Sequence, residues 1–569
     1  MATSRPSFEH AASTGSADKI ASYTKAGDVE KQEAYAGPAA VGEARGEQEE
    51  LKRGMSSRHV AMISIGGAIG TGLFVGTATA LRNGGPLGLL LGYSVVGTVV
   101  FSVMTILGEM AAHLPIGGGA VTLAARFINP CFGFITGWWY WYDWALALPA
   151  ELSASAVLIS YWDTKTNPAV YITVTGFVAI IINFGGARAY GEMEFWFAGI
   201  KVITIIGLII LGIVLMAGGG PNATGPIGGQ YWVTPGPFVQ FYGIAGGLGR
   251  FLGFWTVLTQ AAYSFIGSEI VALAAAETKS PKTAVPSAIK KVWIRIIIFY
   301  VLGVWVIGML VPSNDERLNL GTGTAASSPF VIAISDSGIK ALPSIINAAL
   351  LTSAWSAASS DLYTSSRALY GLSLQGNAPR IFAKTTSWGI PLPAIIVGIA
   401  FALLAYMSCG AGTAGQVFGW FSNMTAVAGL LIWWSICLTY LRFYAAAKAQ
   451  GLDRAALPYR APFQPYLTYY AIFMITIILF FSKFQVFIKG HFDTADFITS
   501  YLPIILFPVV YVLCYIHKRW IRKLPAHNWS LMPVSELDIF SGSRADDEEV
   551  FQEESKSSSR FGRVMDAIF

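Results

Sequence analysis

Long apolar runs separated by short polar stretches make up the chain between residues 59 and 517. A helix needs about 20 apolar residues to cross the hydrocarbon core of a bilayer. The pattern predicts an all-α polytopic membrane protein with twelve transmembrane helices, over residues 59–80, 87–112, 131–162, 169–184, 195–217, 251–276, 292–312, 342–373, 391–409, 415–441, 465–487 and 498–517. The longest runs exceed the thickness of the core, so we expect them to tilt or break.

The composition agrees with this pattern. Residues of the types AVILMFWYC make up 54% of the chain and charged residues only 12%, whereas a soluble domain carries about 25% charged residues. This deficit excludes an ordinary soluble enzyme. Polar residues collect at the two ends, which predicts a disordered cytosolic N-terminal tail over 1–58, a twelve-span domain over 59–522 and a disordered cytosolic C-terminal tail over 523–569.

The distribution of basic residues predicts the orientation. If both tails lie on one side, that side holds twenty-one of the lysines and arginines in loops and flanks, against seven on the other side. The positive-inside rule then places both termini in the cytosol, and the sequon Asn222-Ala-Thr224 outside. The net charge of +5 includes no dense basic patch, so we expect no nucleic-acid partner. The four cysteines form no CxxC motif, and we expect neither a metal nor another cofactor.

Glycines are concentrated in the first apolar run. Gly66, Gly67, Gly70 and Gly72 lie within seven residues, and each destabilises a helix by about 1 kcal/mol relative to alanine. Unwound backbone in lipid leaves unpaired N–H and C=O groups, so a break here is expected to line a cavity enclosed by protein. The alternative is close packing of helices through small residues.

A second interruption lies five runs later, where Gly267 and Ser268 divide the sixth apolar run. Two broken helices at this spacing fit an inverted repeat of spans 1–5 and 6–10. The N-terminal end of a half-helix suits a carboxylate, and the carbonyl end of another suits an ammonium group. A site with both ends predicts an α-amino acid as the ligand.

Several motifs resemble those of the fungal amino acid permeases of the amino acid–polyamine–organocation superfamily. They are GGAIGTGLF from Gly66, Gly84-Gly-Pro86, Gly108-Glu-Met110, FIGSEIVALAAAET from Phe265 and SSDLYTSSR from Ser359. The resemblance covers about residues 58–523. It implies the leucine-transporter-type fold, a 5+5 inverted repeat plus two extra helices. It also implies import of L-amino acids with protons across the plasma membrane by alternating access.

The resemblance also implies positions for the substrate. The carboxylate-binding break corresponds to Ile69, Gly70, Thr71 and Gly72, and the ammonium-binding break to Ser264, Phe265, Ile266 and Gly267. The main chain is expected to do most of this binding. Phe265 alone would suggest simple packing, but the resemblance favours a gate over the substrate. Span 10 is expected to present Ser422 and Asn423 to the cavity.

Ionisable residues inside apolar runs cost about 2–3 kcal/mol or more in lipid, so each is expected to face protein or water. Glu151 is expected to contact substrate or a proton, with a structural hydrogen bond as the alternative. Glu269 is expected to stabilise the second break, and Glu109 to pair with a basic loop residue. Asp143 and Asp361 are expected nearer the membrane interfaces.

Lys201 is the candidate proton-coupling residue together with Glu151. A lysine in span 5 resembles the lysine of proton-coupled relatives, and its ammonium would repel the sodium ion of a sodium-coupled site. Burial disfavours the charged form of lysine, so Lys201 could release and regain a proton during transport. The alternative is a side chain that extends to the cytosolic interface.

The predicted function is import of neutral amino acids with fairly broad specificity, proline included, because span 10 offers hydroxyl and amide groups without charge. Cationic amino acids are the second choice because of Glu151. An exchanger and a non-transporting sensor on the same scaffold remain alternatives. An enzyme is not expected, since GxSxG, HExxH and Walker motifs are absent. The tails, with Lys19, Lys25 and Lys31, are expected to receive regulation by ubiquitin ligases and arrestins.

Overall fold

The computed structural model describes residues 69–270, 281–319, 328–410 and 413–541. The predicted N-terminal tail, the beginning of the first apolar run, the end of the sixth run and the last 28 residues, 542–569, lie outside the described residues. Secondary structure within the described ranges is helical and includes no strand. The fold class predicted from the sequence is therefore confirmed as all-α.

The described ranges hold fifteen α-helices. They are α1 Thr77–His113, α2 Gly119–Phe127, α3 Pro130–Ile159, α4 Pro168–Phe184, α5 Gly186–Met216, α6 Gln230–Val233, α7 Gly246–Phe265, α8 Pro281–Arg295, α9 Leu302–Leu310, α10 Pro329–Asp336, α11 Leu342–Leu374, α12 Leu392–Ala402, α13 Ala414–Ala449, α14 Tyr466–Phe480 and α15 Thr494–Ile516. Short π-helical turns precede α1, join α8 to α9 and extend α15, at Gly72–Gly76, Ile296–Val301 and His517–Ile521.

Six helical segments in the described ranges are long and apolar enough to cross a membrane: Gly72–His113, Ala189–Met216, Val285–Leu310, Leu392–Cys409, Ala414–Ala449 and Thr494–Ile521. The shorter helices α4 and α14 are apolar as well. Outward-facing side chains on α4, α5 and α14 are large and apolar, with Phe177 61%, Ile203 74% and Phe473 61% exposed. A surface of this kind is stable against lipid and costly in water.

A sharp kink at Gly85 separates the first two predicted spans. The segment Gly72–His113 has 42 residues, about 63 Å of straight helix, which is twice the thickness of the hydrocarbon core. Gly85 adopts φ 75° and ψ 173°, and Pro86 follows it. A Cβ atom at Gly85 would lie 2.7 Å from the carbonyl oxygen of Pro237. Only glycine fits both the dihedral angles and the close approach, so the chain turns back here.

Polar residues directly before the apolar runs set where helices begin. Asn129 Oδ1 accepts a hydrogen bond from the amide of Phe132, and Pro130 is the first residue of α3. Asn167 and Pro168 begin α4 in the same way. The side-chain oxygen satisfies an amide that has no partner within the helix, and proline loses nothing at this position.

The centre of the bundle is formed by α3, which packs along α11 and α13, while α7 packs against α1. Leu146, Ala150 and Ala154 of α3 are almost fully buried, as are Ala354 of α11 and Val427 of α13. The outer helices α4, α14 and α15 carry fewer buried residues. Polar side chains on α3, α11 and α13 are therefore shielded from lipid, so a polar site can lie between these helices.

The first part of the C-terminal tail is packed against the helices, contrary to the disorder predicted from residue 523 onward. Ile539 is fully buried, and its carbonyl oxygen lies 2.9 Å from Nε2 of His113. Gln450 Nε2 donates to the carbonyl oxygen of Leu537 at 2.7 Å. The prediction of disorder rested on the polar average composition of the whole tail. It therefore overlooked the two apolar residues, Leu537 and Ile539, that anchor the tail to the helices.

Candidate functional site

The second predicted break is present in the structure. Helix α7 ends at Phe265, Ile266 is extended with φ −60° and ψ 147°, and Gly267 has φ 92°. The hydroxyl of Ser268 donates to the carbonyl oxygen of Phe265 at 2.7 Å and so satisfies one free acceptor of the helix end. The sequence prediction of an interrupted helix at this position is confirmed.

The described part of the first predicted break lies beside the second, and residues 59–68 before it lie outside the described residues. Ile69 and Gly70 are outside any helix, and the chain enters a π-helical turn at Gly72. A Cβ atom on Gly72 would lie 2.8 Å from Cα of Ser264. The π-helical turn at Gly72 and the last turn of α7 therefore approach each other closely, which is possible only because residue 72 has no side chain.

A cavity of about 50 Å³ lies between the two breaks; we call it the central cavity. Its wall includes Gly70, Gly72, Ser264 and Ile266 from the predicted substrate positions. Helices α3, α5, α11 and α13 close the remaining sides. About 10–15 Å³ of such volume holds one water, so the cavity has room for a few waters, and a ligand with more heavy atoms than that requires these walls to move apart.

Glu151 of α3 connects the two breaks. Its Oε1 accepts hydrogen bonds from Thr71 Oγ1 at 2.8 Å and from the hydroxyl of Tyr263 at 3.2 Å. The side chain lines the central cavity and the residue is 5% exposed. Among the described residues, Oε2 has no hydrogen-bond partner. Glu151 thus has a structural bond on one oxygen and a second oxygen available for a ligand or a proton, so both sequence interpretations remain compatible with the geometry.

Lys201 is buried rather than extended to the interface. It is 2% exposed, lines the central cavity, and its Nζ lies 3.6 Å from Oε1 of Glu194. The interface alternative assumed that the helix starts near residue 195, but α5 starts at Gly186, so Lys201 lies near its middle. Sequence analysis missed Glu194, although a seven-residue separation places it on the same helix face as Lys201.

Glu194 is held by α11. Its Oε2 accepts hydrogen bonds from Ser356 Oγ at 2.6 Å and Ser360 Oγ at 3.4 Å. Tyr190 in turn donates to Ser360 Oγ at 3.0 Å. A buried ion pair needs hydrogen bonds to its remaining lone pairs; the two serines supply them to Oε2 of Glu194, while Oε1 faces Lys201.

Asp143 and Asp361 lie in the interior, not near the interfaces as the sequence suggested. Asp143 is fully buried and Asp361 is 4% exposed. Each lies close to the midpoint of a long helix, α3 or α11. Asp361 lines the central cavity, and its Oδ2 has no hydrogen-bond partner within the described part of the chain. The cavity therefore has a second carboxylate beside Glu151.

Phe265 points away from the central cavity. Its ring is fully buried and stacks on Tyr300 with centroids 4.1 Å apart. The aromatic side chains that do line the cavity are Tyr263, two residues earlier, and Trp144 of α3. Ser264 lines it as well, and its hydroxyl shares a 2.7 Å hydrogen bond with Tyr93. In this conformation the ring of Tyr263, rather than that of Phe265, lies beside the central cavity.

Ser422 and Asn423 line a different cavity, of about 110 Å³, which we call the second cavity. Asn423 Nδ2 donates to Ser500 Oγ at 2.6 Å. The residue of α13 that lines the central cavity is Thr425, on another side of the helix. The sequence could not separate these positions, because a shift of two residues rotates a side chain by about 200° around a helix.

The two remaining acidic residues have structural partners. Glu269 Oε2 accepts a hydrogen bond from Trp433 Nε1 at 3.2 Å, and its predicted role in stabilising the break stays a prediction. Glu109 accepts two hydrogen bonds of 2.7 Å from Arg454, which confirms the predicted basic partner. Burial disfavours the charge of Arg454, but these bonds to Glu109 hold its pKa above the ordinary value.

The contact between the breaks can be tested with Gly72→Ala. The added methyl group would clash with the main chain of Ser264, which costs about 1–3 kcal/mol, so we expect the purified protein to melt about 1–3 °C lower. Gly199→Ala in α5 is the matched control, since a Cβ atom there meets no atom within 4 Å. Equal melting temperatures of Gly72→Ala and the wild type would contradict the described approach of the two segments.

Comparison with known proteins identifies the family. The family model described as "Amino acid permease" matches residues 59–526. The chain is 43% identical to a proline-specific permease of Emericella nidulans, with 86% of this chain and 88% of the relative covered. It is 41% identical to a dicarboxylic amino acid permease and to a lysine-specific permease of Saccharomyces cerevisiae, with 85% of this chain and 79% of each relative covered. The chain therefore belongs to the amino acid permease family and is a multi-pass membrane protein that transports amino acids.

Proposed function

We propose that the protein is a secondary active transporter that imports neutral L-amino acids together with protons across the plasma membrane. The observation that carries this proposal is the central cavity, where two main-chain breaks meet beside Glu151 and Lys201. Main-chain groups at residues 69–72 and 264–267 suit the carboxylate and ammonium groups that all amino acids share. Ile69, Thr71, Phe265 and Gly267 are proposed to act through their main chains.

The architecture that we propose for this activity has twelve transmembrane helices. Ten of them form a leucine-transporter-type 5+5 inverted repeat, and two follow it. The kink at Gly85 supports a division of the first apolar segment into two proposed crossings, and the breaks lie in corresponding spans of the two proposed halves. The small volume of the central cavity supports alternating access, because a substrate requires the walls to separate. The twelve-span domain is proposed to cover residues 59–522, between cytosolic tails over 1–58 and 523–569.

The charges around the central cavity favour neutral substrates. Lys201 is paired with Glu194, so it offers little to an acidic side chain of a substrate. Glu151 and Asp361 would repel such a side chain. Cationic amino acids are the second candidate, and the unpartnered Oδ2 of Asp361 is the observation that favours them. Proline is included among the proposed neutral substrates.

We also propose that the cytosolic tails receive ubiquitin through a ligase and arrestins, with Lys19, Lys25 and Lys31 as acceptors. The argument is compositional, because these lysines lie in a polar segment without apolar periodicity. Exchange in place of symport, or sensing without transport, would leave the same substrate site but no accumulation of the substrate.

Substrate specificity is testable by uptake in a yeast strain that lacks its own permeases. We expect uptake of a labelled neutral amino acid that other neutral amino acids inhibit, and weak inhibition by glutamate and aspartate, because Glu151 and Asp361 repel a second carboxylate. Labelled proline, lysine and glutamate should be measured side by side at equal surface expression. Transport restricted to glutamate and aspartate would overturn the proposed specificity, and transport of no amino acid would overturn the function.

Proton coupling predicts that uptake rises as external pH falls, is indifferent to sodium and collapses with a protonophore. Lys201→Met removes the only ammonium group that the described residues place in the central cavity wall. We expect this variant to bind substrate but to lose accumulation against a gradient. Lys165→Met, in an exposed loop, is the control and should accumulate normally. Normal pH-dependent accumulation by Lys201→Met would remove Lys201 from the mechanism.

The proposed orientation predicts glycosylation at one sequon. Asn222 is exposed between α5 and α6, on the proposed outer side, whereas Asn528 lies on the proposed cytosolic side. We expect glycosidase to shift the wild-type protein on a gel, to shift Asn528→Gln equally, and to leave Asn222→Gln unchanged. A shift that persists in Asn222→Gln would contradict the orientation.

A further inference from the structure

The second cavity is twice the size of the central cavity and has a different chemistry. It lies between the first turns of α13, the middle of α7 and residues 482–485, which connect α14 to α15. Side-chain amides and hydroxyls form most of its wall. Within the described residues, Lys483 is the one charged side chain in that wall. A polar cavity with a single ammonium group favours a ligand that has a carboxylate.

Lys483 is positioned by a partner outside the cavity. Its Nζ lies 3.2 Å from Oδ1 of Asp496, in the first turn of α15, and the two side chains are 26% and 31% exposed. A partly exposed pair of this kind is weak because water screens it. Asp496 therefore holds the ammonium group at the rim and competes with any carboxylate that enters.

Two side chains in the same wall lack partners. Ser482 is 3% exposed and Gln485 is 9% exposed. Ser482 Oγ and Gln485 Oε1 have no hydrogen-bond partner among the described residues, and both residues line the second cavity. Buried polar atoms are nearly always satisfied in native proteins. Both oxygens can accept a hydrogen bond, so a ligand ammonium group is a suitable partner.

Only a thin partition separates the two cavities. Tyr263 lines the central cavity and Phe418 the second, and their rings pack edge to face with centroids 6.0 Å apart. Gln260 also belongs to the second cavity, and its side chain covers Gly76, where a Cβ atom would lie 2.5 Å from Nε2. In the proposed orientation, the second cavity lies between the exterior and the central cavity.

We propose that the second cavity is a recruitment site that binds a zwitterionic amino acid before it enters the central cavity. The carboxylate binds Lys483, and the ammonium group binds Ser482 Oγ and Gln485 Oε1. Movement of Tyr263 and Phe418 then admits the substrate. Ser422 and Asn423, which line this cavity, contact the substrate on entry. The inference rests on the proposed transport function and on the proposed orientation.

Opposite effects of two substitutions test the site. The probe is labelled L-proline, or L-lysine where the uptake measurements identify a cationic substrate. Lys483→Gln removes the ammonium group and should raise the KM for uptake about fivefold. Asp496→Asn removes the competing carboxylate and should lower the KM about twofold. Lys489→Gln, an exposed lysine six residues further along the chain, is the matched control and should leave the KM unchanged.

Binding to the purified protein in nanodiscs gives a second measurement. We expect two molecules of the probe per wild-type chain and one per Lys483→Gln chain. The amide of the probe, which lacks the carboxylate, should compete at the Lys483 site at least tenfold less well.

One molecule per wild-type chain would overturn the recruitment site. So would KM changes in the same direction for Lys483→Gln and Asp496→Asn, because an ion pair with a purely structural role responds equally to loss of either partner. In both cases, wild-type uptake would leave the proposed function intact. Absence of wild-type uptake for every amino acid would instead overturn the function itself.

Discussion

An interrupted helix inside a membrane must have its free main-chain groups enclosed by protein. Lipid offers no hydrogen-bond partner, and each unsatisfied group costs several kcal/mol. Here Gly70, which lies outside any helix, and Ile266, at the break after α7, line the same cavity, and α3, α11 and α13 form other parts of its wall. The same groups that require shielding can bind the charged ends of an amino acid. The packing of the central helices, the small residues at the contact and the location of the site all follow from this one constraint.

Buried charge is the second consequence of an enclosed site. Glu151, Glu194, Lys201 and Asp361 are all at most 5% exposed, where an isolated charge is strongly disfavoured. Glu194 and Lys201 offset each other, and serines of α11 satisfy the remaining oxygen of Glu194. Glu151 and Asp361 each keep an oxygen without a partner among the described residues. Such an arrangement is more stable with a bound cation or proton than without one, which is a property required of a site that couples substrate to protons.

Sequence patterns predicted the features that depend on residue type and failed on those that depend on helical phase. Gly267 identified the second break, since few other residues tolerate its φ of 92°, and Gly72 identified a point of close approach to Ser264. Glu109 was correctly given a basic partner, because a buried carboxylate near a loop requires one. The ring facing the cavity was assigned to Phe265 rather than Tyr263, and span 10 contacts to residues 422 and 423 rather than 425. When a helix carries apolar side chains on all sides, its sequence does not show which side faces the cavity. Packing against the neighbouring helices determines that orientation.

The division of labour within the site explains how one scaffold serves different amino acids. Relatives of nearly equal identity, 41–43%, are named for proline, dicarboxylic amino acids and lysine. Overall similarity therefore does not determine the substrate. In the proposed site, main-chain groups at the breaks bind only the carboxylate and ammonium groups, which every amino acid has, and the contact of Gly72 with Ser264 leaves that geometry little freedom to change. The side chain of the substrate must then meet α3, α11 and α13, where Trp144, Asp361 and Thr425 line the cavity. Because these helices are continuous, their side chains can change without disturbing the breaks, so specificity can vary while the site for the common groups stays constant.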